Sequence, residues 1–387
     1  MKRPRRIGLN LLYLVPGETG GTETYARRLL PALSLAGAGL ELVAFVNREA
    51  FGPLYPELTG SSIDVVKVDV SGRSRVRRTL AEQMNLPRLI RRYGIDLLHS
   101  LGSTAPARPG VTSVVTVNDV IYALHPEAHT RAMRAGMRVL VPLAARRADR
   151  VIAISHSAAG EISEKLGLPA ERIDVTHLGG RPIGPATQEQ ELRARLELDN
   201  APIVLSVSAR RPHKNLPRLL EAFARTRSPA VLVLPGYSTP FENHLTRLAR
   251  DLGIEERVRF LGWISDPDLE GLYAAAACFV FPSLAEGFGL PVLEAMLRSV
   301  PVACSNASSI PEVAGDAARY FDPSSVEEIA MAVNDLLTDP ELAGRLAAAG
   351  AERAQAFSWE RTASETIASY EKALRSRRSR RRRVTGF

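Results

Sequence analysis

The sequence predicts an α/β protein built from two doubly wound, parallel-sheet domains. Strand-like apolar runs alternate with amphipathic helical stretches along the chain, a pattern typical of parallel strands joined by helices that cover both sheet faces. A polar segment that contains Pro and Gly interrupts this alternation after residue 178, and a new series begins at Ile203. The length of 387 residues accommodates two such domains. Ligands bind beyond the carboxyl ends of such strands, so two domains predict a ligand cleft between them.

The first series of elements forms the predicted N-terminal domain, residues 1–182. Its strands are short apolar runs, and its helices show apolar residues at a spacing of three to four. We predict strands at 7–15, 40–46, 63–68, 96–99, 113–117, 151–154 and 174–178, and helices near 22–36, 75–93, 131–147 and 158–166.

The second series forms the predicted C-terminal domain, residues 201–358, after a linker at 183–200. A final helix at 359–374 and a polybasic tail at 375–387 complete the predicted organisation. The predicted strands of the second domain are 203–207, 231–234, 258–261, 278–281, 302–304 and 319–321.

The composition excludes several classes of protein. Cys278 and Cys304 lie in apolar surroundings without C-x-x-C spacing, which argues against a disulfide framework, a zinc site and a thiol redox centre. No run of about 18 uncharged apolar residues is present, and we interpret 7–15 as a first strand and not as a signal peptide. These features predict a cytoplasmic protein.

The net charge of +8 is unevenly distributed along the chain. Residues 1–182 carry 25 basic and 16 acidic side chains, residues 183–374 carry 18 and 26, and the tail carries seven Arg and no acid. The basic first half predicts an anionic partner, such as a lipid surface or a phosphorylated acceptor. The tail is compatible with a solvated terminus, with membrane contact or with nucleic acid, although no nucleic-acid motif accompanies it.

The most informative motif runs from Glu286 to Glu294, after a predicted strand and at the start of a predicted helix near Leu290. Gly287 and Gly289 permit close backbone approach to a ligand, and the free N–H groups of a helix start favour an anion. Carboxylates beside such an anion site would suit sugar hydroxyls, so the motif indicates a nucleotide-sugar site. A plain glycine-flanked helix start is the alternative.

Two further loops follow predicted strands. Arg210, Arg211, His213 and Lys214 follow the first strand of the second domain, where cations beside a helix start suit a diphosphate. A solvated basic turn is the alternative. The loop at 16–24 contains a glycine pair but matches neither the G-x-G-x-x-G nor the Walker pattern, which argues against a nicotinamide enzyme and a P-loop.

Taken together, these residues resemble the retaining glycosyltransferases of family 4, the group that includes the lipopolysaccharide and mannosyl transferases. The resemblance covers nearly the whole chain. It rests on Gly20-Gly21-Thr22, Pro212-His-Lys-Asn215, Gly262-Trp263, the two glutamates separated by seven residues, and Ser305-Asn-Ala-Ser-Ser-Ile-Pro-Glu-Val313.

The resemblance implies the GT-B fold, with two Rossmann-like domains facing across a cleft and the last helix crossing back onto the first domain. It implies hexosyl transfer, with mannose favoured, from a GDP- or UDP-linked donor held by the second domain to a glycan, lipid-linked or small-molecule acceptor held by the first. It implies neither a metal nor a cofactor. The catalytic residues it implies are Lys214, Glu286, Asn118 and Asp119, and the donor-binding residues are Gly20, Gly21, Thr22, Arg210, Arg211, His213, Gly287, Phe288, Gly289, Leu290 and Glu294.

The chain departs from the family pattern at two positions. Asn118 stands where the family usually has His, and an amide cannot carry a proton. Ala209 stands where many members have Arg. A catalytically weak or inactive relative that only binds a nucleotide sugar is therefore the alternative function. Nucleotide-sugar epimerases and glycogen-type phosphorylases share the architecture, but the pyridoxal-binding lysine region of a phosphorylase is missing.

The segment 73–92 predicts attachment to the inner face of a membrane. Its seven arginines surround the apolar residues Val76, Leu80, Met84, Leu86 and Leu89, a basic amphipathic pattern suited to an anionic interface. The alternative is a helix that packs its apolar residues on the sheet, with Pro87 interrupting any long helix.

Overall fold

A computed structural model describes residues 4–37, 39–58, 62–128 and 130–384. The chain divides into two compact units. Unit 1 comprises residues 1–179 and 357–387, and unit 2 comprises residues 180–356.

Unit 1 contains a parallel sheet that has seven strands among the described residues, in the order β3-β2-β1-β4-β5-β6-β7. Helices on the sheet complete the doubly wound arrangement. The strands are β1 (Arg5–Leu11), β2 (Leu40–Val46), β3 (Ile63–Lys67), β4 (Leu97–Ser100), β5 (Thr112–Val117), β6 (Arg150–Ala153) and β7 (Ile173–Val175). The helices are α1 (Gly21–Ala36), α2 (Arg48–Leu58), α3 (Arg75–Met84), α4 (Leu86–Arg92), α5 (Ile121–Leu124), α6 (Arg131–Arg147), α7 (His156–Leu166) and, at the end of the chain, α16 (Trp359–Val384).

Unit 2 contains a parallel sheet in which the described residues form six strands, ordered β10-β9-β8-β11-β12-β13. Its strands are β8 (Ile203–Leu205), β9 (Val231–Pro235), β10 (Val258–Leu261), β11 (Ala276–Phe281), β12 (Val302–Ser305) and β13 (Arg319–Phe321). Its helices are α8 (Glu189–Leu196), α9 (Leu216–Ala224), α10 (Glu242–Asp251), α11 (Asp266–Ala275), α12 (Leu290–Leu297), α13 (Ile310–Ala314), α14 (Val326–Thr338) and α15 (Pro340–Ala354). The predicted fold class, two doubly wound parallel sheets, is confirmed.

The first strand is shorter than predicted. It ends at Leu11, whereas the apolar run continues to Val15. The carbonyls of Leu12 and Leu14 instead accept hydrogen bonds from Nδ2 of the buried Asn47, at 2.9 and 2.7 Å. The side-chain amide of Asn47 thus takes the place of the backbone hydrogen bonds that a neighbouring strand would make, while the apolar side chains remain buried.

The predicted helix at 75–93 is two helices. α3 ends at Met84, and α4 begins at Leu86 with Pro87 in its first turn. Leu86 is fully buried in the core beneath these helices. Val76, Leu80 and Met84, spaced four residues apart on α3, are 73%, 54% and 54% exposed. The packing alternative is therefore correct for α4, whereas on α3 only Ala81 packs on the core and the stripe of Val76, Leu80 and Met84 does not.

The last helix belongs to unit 1, as predicted. Lys372 Nζ and Ser369 Oγ both donate to the Asp174 carboxylate of β7, at 2.7 and 2.8 Å. The Tyr370 hydroxyl lies 2.7 Å from Nδ1 of His99. Burial lowers the pKa of His99 to about 3. Since α16 supplies the buried Ser369 and Tyr370 as partners, it is an integral part of unit 1.

The predicted tail is not a separate segment, because α16 continues to Val384. Arg375 pairs with Glu371 at 3.3 Å, and Arg377 donates to the carbonyl of Gly110 at 3.0 Å. The side chains of Arg378 and Arg380 to Arg383, and residues 385–387 altogether, lie outside the described part of the chain. In the described part, no helix is long and apolar enough to cross a bilayer.

The predicted linker at 183–200 contains α8 and is part of unit 2. Leu192 is the buried residue of α8, and the Thr187 hydroxyl donates to Asp268 at 2.7 Å. A helix with one buried apolar residue has no apolar stripe, so its sequence resembles that of a loop.

Candidate functional site

The chain reverses direction across the sheet of unit 2 between β8 and β11. These strands are neighbours, and the chain adds β9 and β10 on one side and β12 and β13 on the other. The loops that follow β8 and β11 therefore begin side by side at the carboxyl edge, at the point where the strand order changes direction, which we call the crevice. Such a point is where open α/β sheets bind ligands.

Lys214 and Glu286 meet at this crevice. Lys214 ends a short turn after β8, and Glu286 lies in the loop after β11. The amide of Leu284 donates to the carbonyl of His213 at 2.8 Å, which links the two loops next to these side chains. Lys214 Nζ lies 2.5 Å from Glu286 Oε1, and the side chains are 16% and 10% exposed. The structure thus brings together a cation and a carboxylate that sequence analysis assigned separately to diphosphate and sugar.

Asn215 fixes the direction of the Lys214 turn. Its backbone is left-handed, with φ of 57°, a conformation that Asn tolerates better than most residues. Its Nδ2 donates to the carbonyls of Pro282 and Pro323, at 3.1 and 2.7 Å. The turn therefore has defined contacts to the loop that carries Glu286.

Two serines hold the backbone of Glu286. The hydroxyls of Ser308 and Ser309, in the loop after β12, donate to the Glu286 carbonyl at 2.8 and 2.9 Å. The Glu286 amide donates back to Ser308 Oγ at 3.2 Å. Ser308 has a φ of 56°, a conformation that costs free energy for a residue other than Gly. Loops from three adjacent strands therefore shape the crevice.

The predicted helix start after Glu286 is confirmed. Gly289 caps α12 with a φ of 108°, and the helix begins at Leu290 with a proline in its first turn. Gly287 and Phe288 are buried, and Leu290 is half-buried. The first amides of α12 and its positive dipole end accordingly face the end of the loop that begins at Glu286.

Glu294 lies one turn inside α12 and is buried in a network of charges. The Tyr273 hydroxyl donates to its Oε2 at 3.2 Å, and Arg181 Nε lies 3.9 Å from its Oε1. Arg298 donates to the Glu294 carbonyl at 3.0 Å and to both carboxylate oxygens of Glu270, at 2.6 and 2.5 Å. Burial raises the pKa of Glu294, and the nearby Arg181 and Arg298 oppose this effect.

Arg210 has a structural role and is not placed for donor binding, contrary to prediction. Its side chain is 1% exposed, and its guanidinium donates to the carbonyls of Leu234, Gly236 and Leu261 at the ends of β9 and β10. It also lies 3.0 Å from Glu242 Oε2. A buried cation that is surrounded by these acceptors stabilises the sheet edge.

The two remaining residues of the basic loop differ in burial. His213 is buried within the short turn that ends at Lys214, and Arg211 is half-buried immediately before this turn. Arg211 is therefore the second cation of this loop, after Lys214, that remains partly accessible.

The glycine loop of unit 1 lies at a similar reversal, because β1 and β4 are neighbours at the point where the strand order changes direction. Gly20 has a φ of 57° and precedes α1, which begins at Gly21. Both glycines are exposed, and a Cβ at either position would meet no atom within 4 Å. The Thr22 hydroxyl donates to the carbonyl of Thr19 at 2.8 Å. The loop thus offers accessible backbone at the carboxyl edge.

Asn118 and Asp119 follow β5 at the same edge of that sheet. Asn118 is 7% exposed, and its Nδ2 is buried without a hydrogen-bond partner among the described residues. Asp119 Oδ1 accepts from the amide of Ile121 at 3.0 Å, which orients its carboxylate at the start of α5. An unsatisfied buried amide is costly and marks this position as one that suits a ligand acceptor.

Ser308 and Ser309, behind Glu286, belong to the motif at 305–313, but no role was predicted for them. The residues around Glu294 were not predicted at all: Tyr273, Arg181, Glu270 and Arg298. The spacing of Arg298, four residues after Glu294 on one helix face, is a signal that could have identified one of them.

Two family models match the chain. The model described as "Glycosyl transferases group 1" matches residues 188–353, and the model described as "Glycosyltransferase Family 4" matches residues 19–179. These matches fall on unit 2 and unit 1, respectively.

Curated relatives include two mannosyltransferases. The chain is 35% identical to the O-antigen chain mannosyltransferase B of Escherichia coli, over 67% of this chain and 70% of that protein. It is 33% identical to the MMP α-(1→4)-mannosyltransferase of Mycolicibacterium hassiacum, over 59% of this chain and 56% of that protein. The structure is also similar to that of HepE from Anabaena in complex with UDP and glucose, with a TM-score of 0.74, 21% identity and coverage of 94% of this chain and 100% of that one.

Proposed function

This chain belongs to the family 4 glycosyltransferases, and from this premise we propose that it transfers a hexosyl group from a nucleotide-diphosphate sugar to an acceptor, with retention of configuration. The observation that carries the proposal is the pairing of Lys214 with Glu286 at the crevice of unit 2, immediately before the start of α12. A cation, a helix start and a carboxylate then lie together, as a diphosphate with an attached sugar would require.

Each part of the proposed donor has a complementary group in unit 2. Lys214 and Arg211 would neutralise the diphosphate together with the amides at the start of α12. Glu286 and the backbone from Gly287 to Leu290 would bind the sugar. Glu294, held by Tyr273 and Arg181, would accept hydrogen bonds from the ribose hydroxyls. We propose that no metal is needed, because these cations supply the positive charge.

The proposed reaction breaks the bond between the sugar's anomeric carbon and the diphosphate oxygen. The acceptor hydroxyl forms the new bond on the same face, and its proton passes to an oxygen of the departing diphosphate. No protein nucleophile takes part. The protein's task is to stabilise the charge that develops on the leaving group and to position the acceptor. Asn118 would hydrogen-bond a sugar hydroxyl and would carry no proton.

We propose mannose as the transferred sugar. Both curated relatives described above are mannosyltransferases by name, which favours a GDP-linked donor. The similar Anabaena structure contains UDP and glucose, so UDP-glucose is the second donor to test. The acceptor would be a glycan, a lipid-linked sugar or a small molecule bound by unit 1.

The experiment that tests the proposal is a panel of GDP- and UDP-sugars, assayed for transfer and hydrolysis with and without EDTA. We expect turnover of one donor, unaffected by EDTA. Lys214→Ala should lower kcat about a hundredfold at saturating donor, because the lysine faces charge that grows as the bond breaks. Arg225→Ala, an exposed cation of unit 2, is the matched control. Donor binding without turnover would instead support the catalytically inactive alternative, and wild-type turnover in Lys214→Ala would contradict the assignment.

We further propose that unit 1 acts on the inner face of an anionic membrane. Val76, Leu80 and Met84 form an exposed apolar stripe on α3, and the exposed Arg73 and Arg77 flank it. Apolar insertion and attraction between arginine and lipid phosphate would then act together.

Sedimentation with anionic and neutral vesicles tests this attachment. Full-length protein should bind anionic vesicles and lose binding as salt rises. Replacement of Val76, Leu80 and Met84 by Ser should abolish binding, whereas Leu35→Ser, at another exposed apolar position, should not. Equal recovery on both vesicle types would contradict the proposal.

A further inference from the structure

The two charged groups that would contact opposite ends of the diphosphate–sugar bond are bonded to each other. Lys214 Nζ and Glu286 Oε1 lie 2.5 Å apart, within hydrogen-bond distance. The ammonium has three N–H donors but a single positive charge, so any anionic ligand that binds Lys214 competes with the Glu286 carboxylate for that charge.

The surroundings make this competition substantial. The two side chains are 16% and 10% exposed, and the ammonium also lies 5.5 Å from the centre of the Phe281 ring. Water screens a pair of this burial less than it screens a surface pair. An uncompensated charge left at such a site weakens binding.

The backbone of Glu286 keeps its carboxylate near the ligand after displacement. Ser308 and Ser309 fix the carbonyl of this residue, and Ser308 also accepts from its amide. The carboxylate can rotate about its side-chain bonds but remains beside the crevice. A displaced Glu286 consequently needs new hydrogen-bond donors in place of the ammonium.

A nucleotide diphosphate and a complete donor differ in what they offer to this carboxylate. The diphosphate alone takes Lys214 and adds negative charge beside Glu286. The attached hexose supplies hydroxyl donors, which replace the lost ammonium contact. We infer that the Lys214–Glu286 pair is a specificity determinant that makes tight binding of the nucleotide diphosphate depend on the attached sugar.

This inference rests on the proposed function and extends it to product release. When the sugar has passed to the acceptor, Glu286 loses its hydroxyl donors while the diphosphate still occupies Lys214. Re-formation of the Lys214–Glu286 ion pair then favours departure of the nucleotide. The same pair thus favours complete donor over the spent nucleotide at each turnover.

Isothermal titration calorimetry tests the inference with GDP and GDP-mannose, and with UDP and UDP-glucose as the second pair. Glu286→Gln removes the competing charge and keeps the shape of the side chain. We expect it to tighten nucleotide binding about tenfold and to leave donor binding unchanged or weaker, so that the preference for donor falls at least tenfold. Glu327→Gln, which removes an exposed acid elsewhere on unit 2, should leave both affinities unchanged.

A double-mutant cycle separates this competition from a general change in the site. In the Lys214→Ala background, Glu286→Gln should no longer tighten nucleotide binding, because the contested ammonium is absent. Equal loss of nucleotide and donor affinity in Glu286→Gln would overturn the inference but leave the proposed function intact. Wild-type protein that binds none of the four ligands would overturn both. Melting temperatures of all variants report whether each is folded.

Discussion

At the scale of single residues, Asn118 combines burial with an unsatisfied amide. We predict that Asn118→Ala lowers transfer activity without moving the pH profile, because the side chain positions a hydroxyl and carries no proton. The free energy of unfolding should not fall by the amount expected for a lost hydrogen bond from Nδ2, since this atom has no partner among the described residues. Activity assays and thermal unfolding of the same variant provide the two measurements. Wild-type activity would show that Asn118 is outside the site.

Tyr273 offers a pH-dependent test of the Glu294 network. Burial raises the pKa of Glu294, and the Tyr273 hydroxyl is one of the groups that lower it. Donor binding requires the carboxylate, so affinity should fall as the pH drops through this raised pKa. Tyr273→Phe removes the hydroxyl and raises the pKa further, so the loss should begin at higher pH.

Donor affinities of wild type and Tyr273→Phe between pH 5 and 8 check this prediction. A displacement of the affinity curve by one pH unit corresponds to roughly 1.4 kcal/mol of lost preference for the ionised form of Glu294. Tyr237→Phe, which changes a tyrosine that is 42% exposed, serves as the control. Parallel pH curves for wild type and Tyr273→Phe would contradict the proposed role of the hydroxyl.

Both Lys214 and Arg210 were predicted from the sequence to act at the donor, and the prediction fails for Arg210. Arg210 and Lys214 occupy one basic loop, yet Arg210 points into the carbonyls of the sheet edge and Lys214 points to Glu286. This difference depends on the left-handed turn at Asn215 and on the contacts between loops of neighbouring strands. Such contacts are tertiary and leave no periodic signal in the sequence.

At the scale of elements, Gly236 immediately follows β9 and has a backbone conformation that other residues rarely adopt. Its φ is 145°, and a Cβ would lie 2.0 Å from the backbone oxygen of Ser208. We predict that Gly236→Ala lowers the free energy of unfolding by roughly 3 kcal/mol or more, through strain and overlap combined. Gly253→Ala, where φ is 67° and no atom lies within 4 Å, should cost only about 1 kcal/mol. Denaturant unfolding of both variants measures the difference, and equal losses would contradict the steric argument.

The type of an element was easier to predict than its orientation. The apolar residues of α3 recur every four residues, and this spacing is the same whether the stripe faces the core or solvent. The exposed fractions of the side chains show that this stripe faces solvent, whereas Leu86 of α4 is buried in the core. The helix α8 was missed because it buries a single apolar side chain.

At the scale of the whole molecule, α16 should be required for unit 1 but not for unit 2. A chain ending at Ala356 loses the buried Ser369, Tyr370 and Ala373, and it loses Lys372, an exposed partner of Asp174. We expect such a chain to retain the unfolding transition of unit 2 and to lose that of unit 1. A chain ending at Leu374 keeps these contacts and should retain both transitions.

Differential scanning calorimetry with limited proteolysis distinguishes the two truncated chains. Protection of fragments from unit 1 in the chain ending at Ala356 would contradict the requirement for α16.

The alternation of strands and helices was sufficient to predict both sheets, but the membership of residues 180–200 in unit 2 was not predictable. The first segment of unit 1 ends at Gly179, within a loop that meets the backbone of Trp359 only once the chain has folded.

The placement of α16 also determines when each unit can mature during synthesis. Unit 2 is one continuous stretch of chain and can fold as soon as residue 356 has emerged from the ribosome. Unit 1 must wait for the last helix, although its first 179 residues are made earlier. At about 5–20 residues per second, the intervening translation takes roughly 10–40 s. During that interval the surface later covered by α16 is exposed, so the nascent first unit is the part of the protein that most needs chaperone protection.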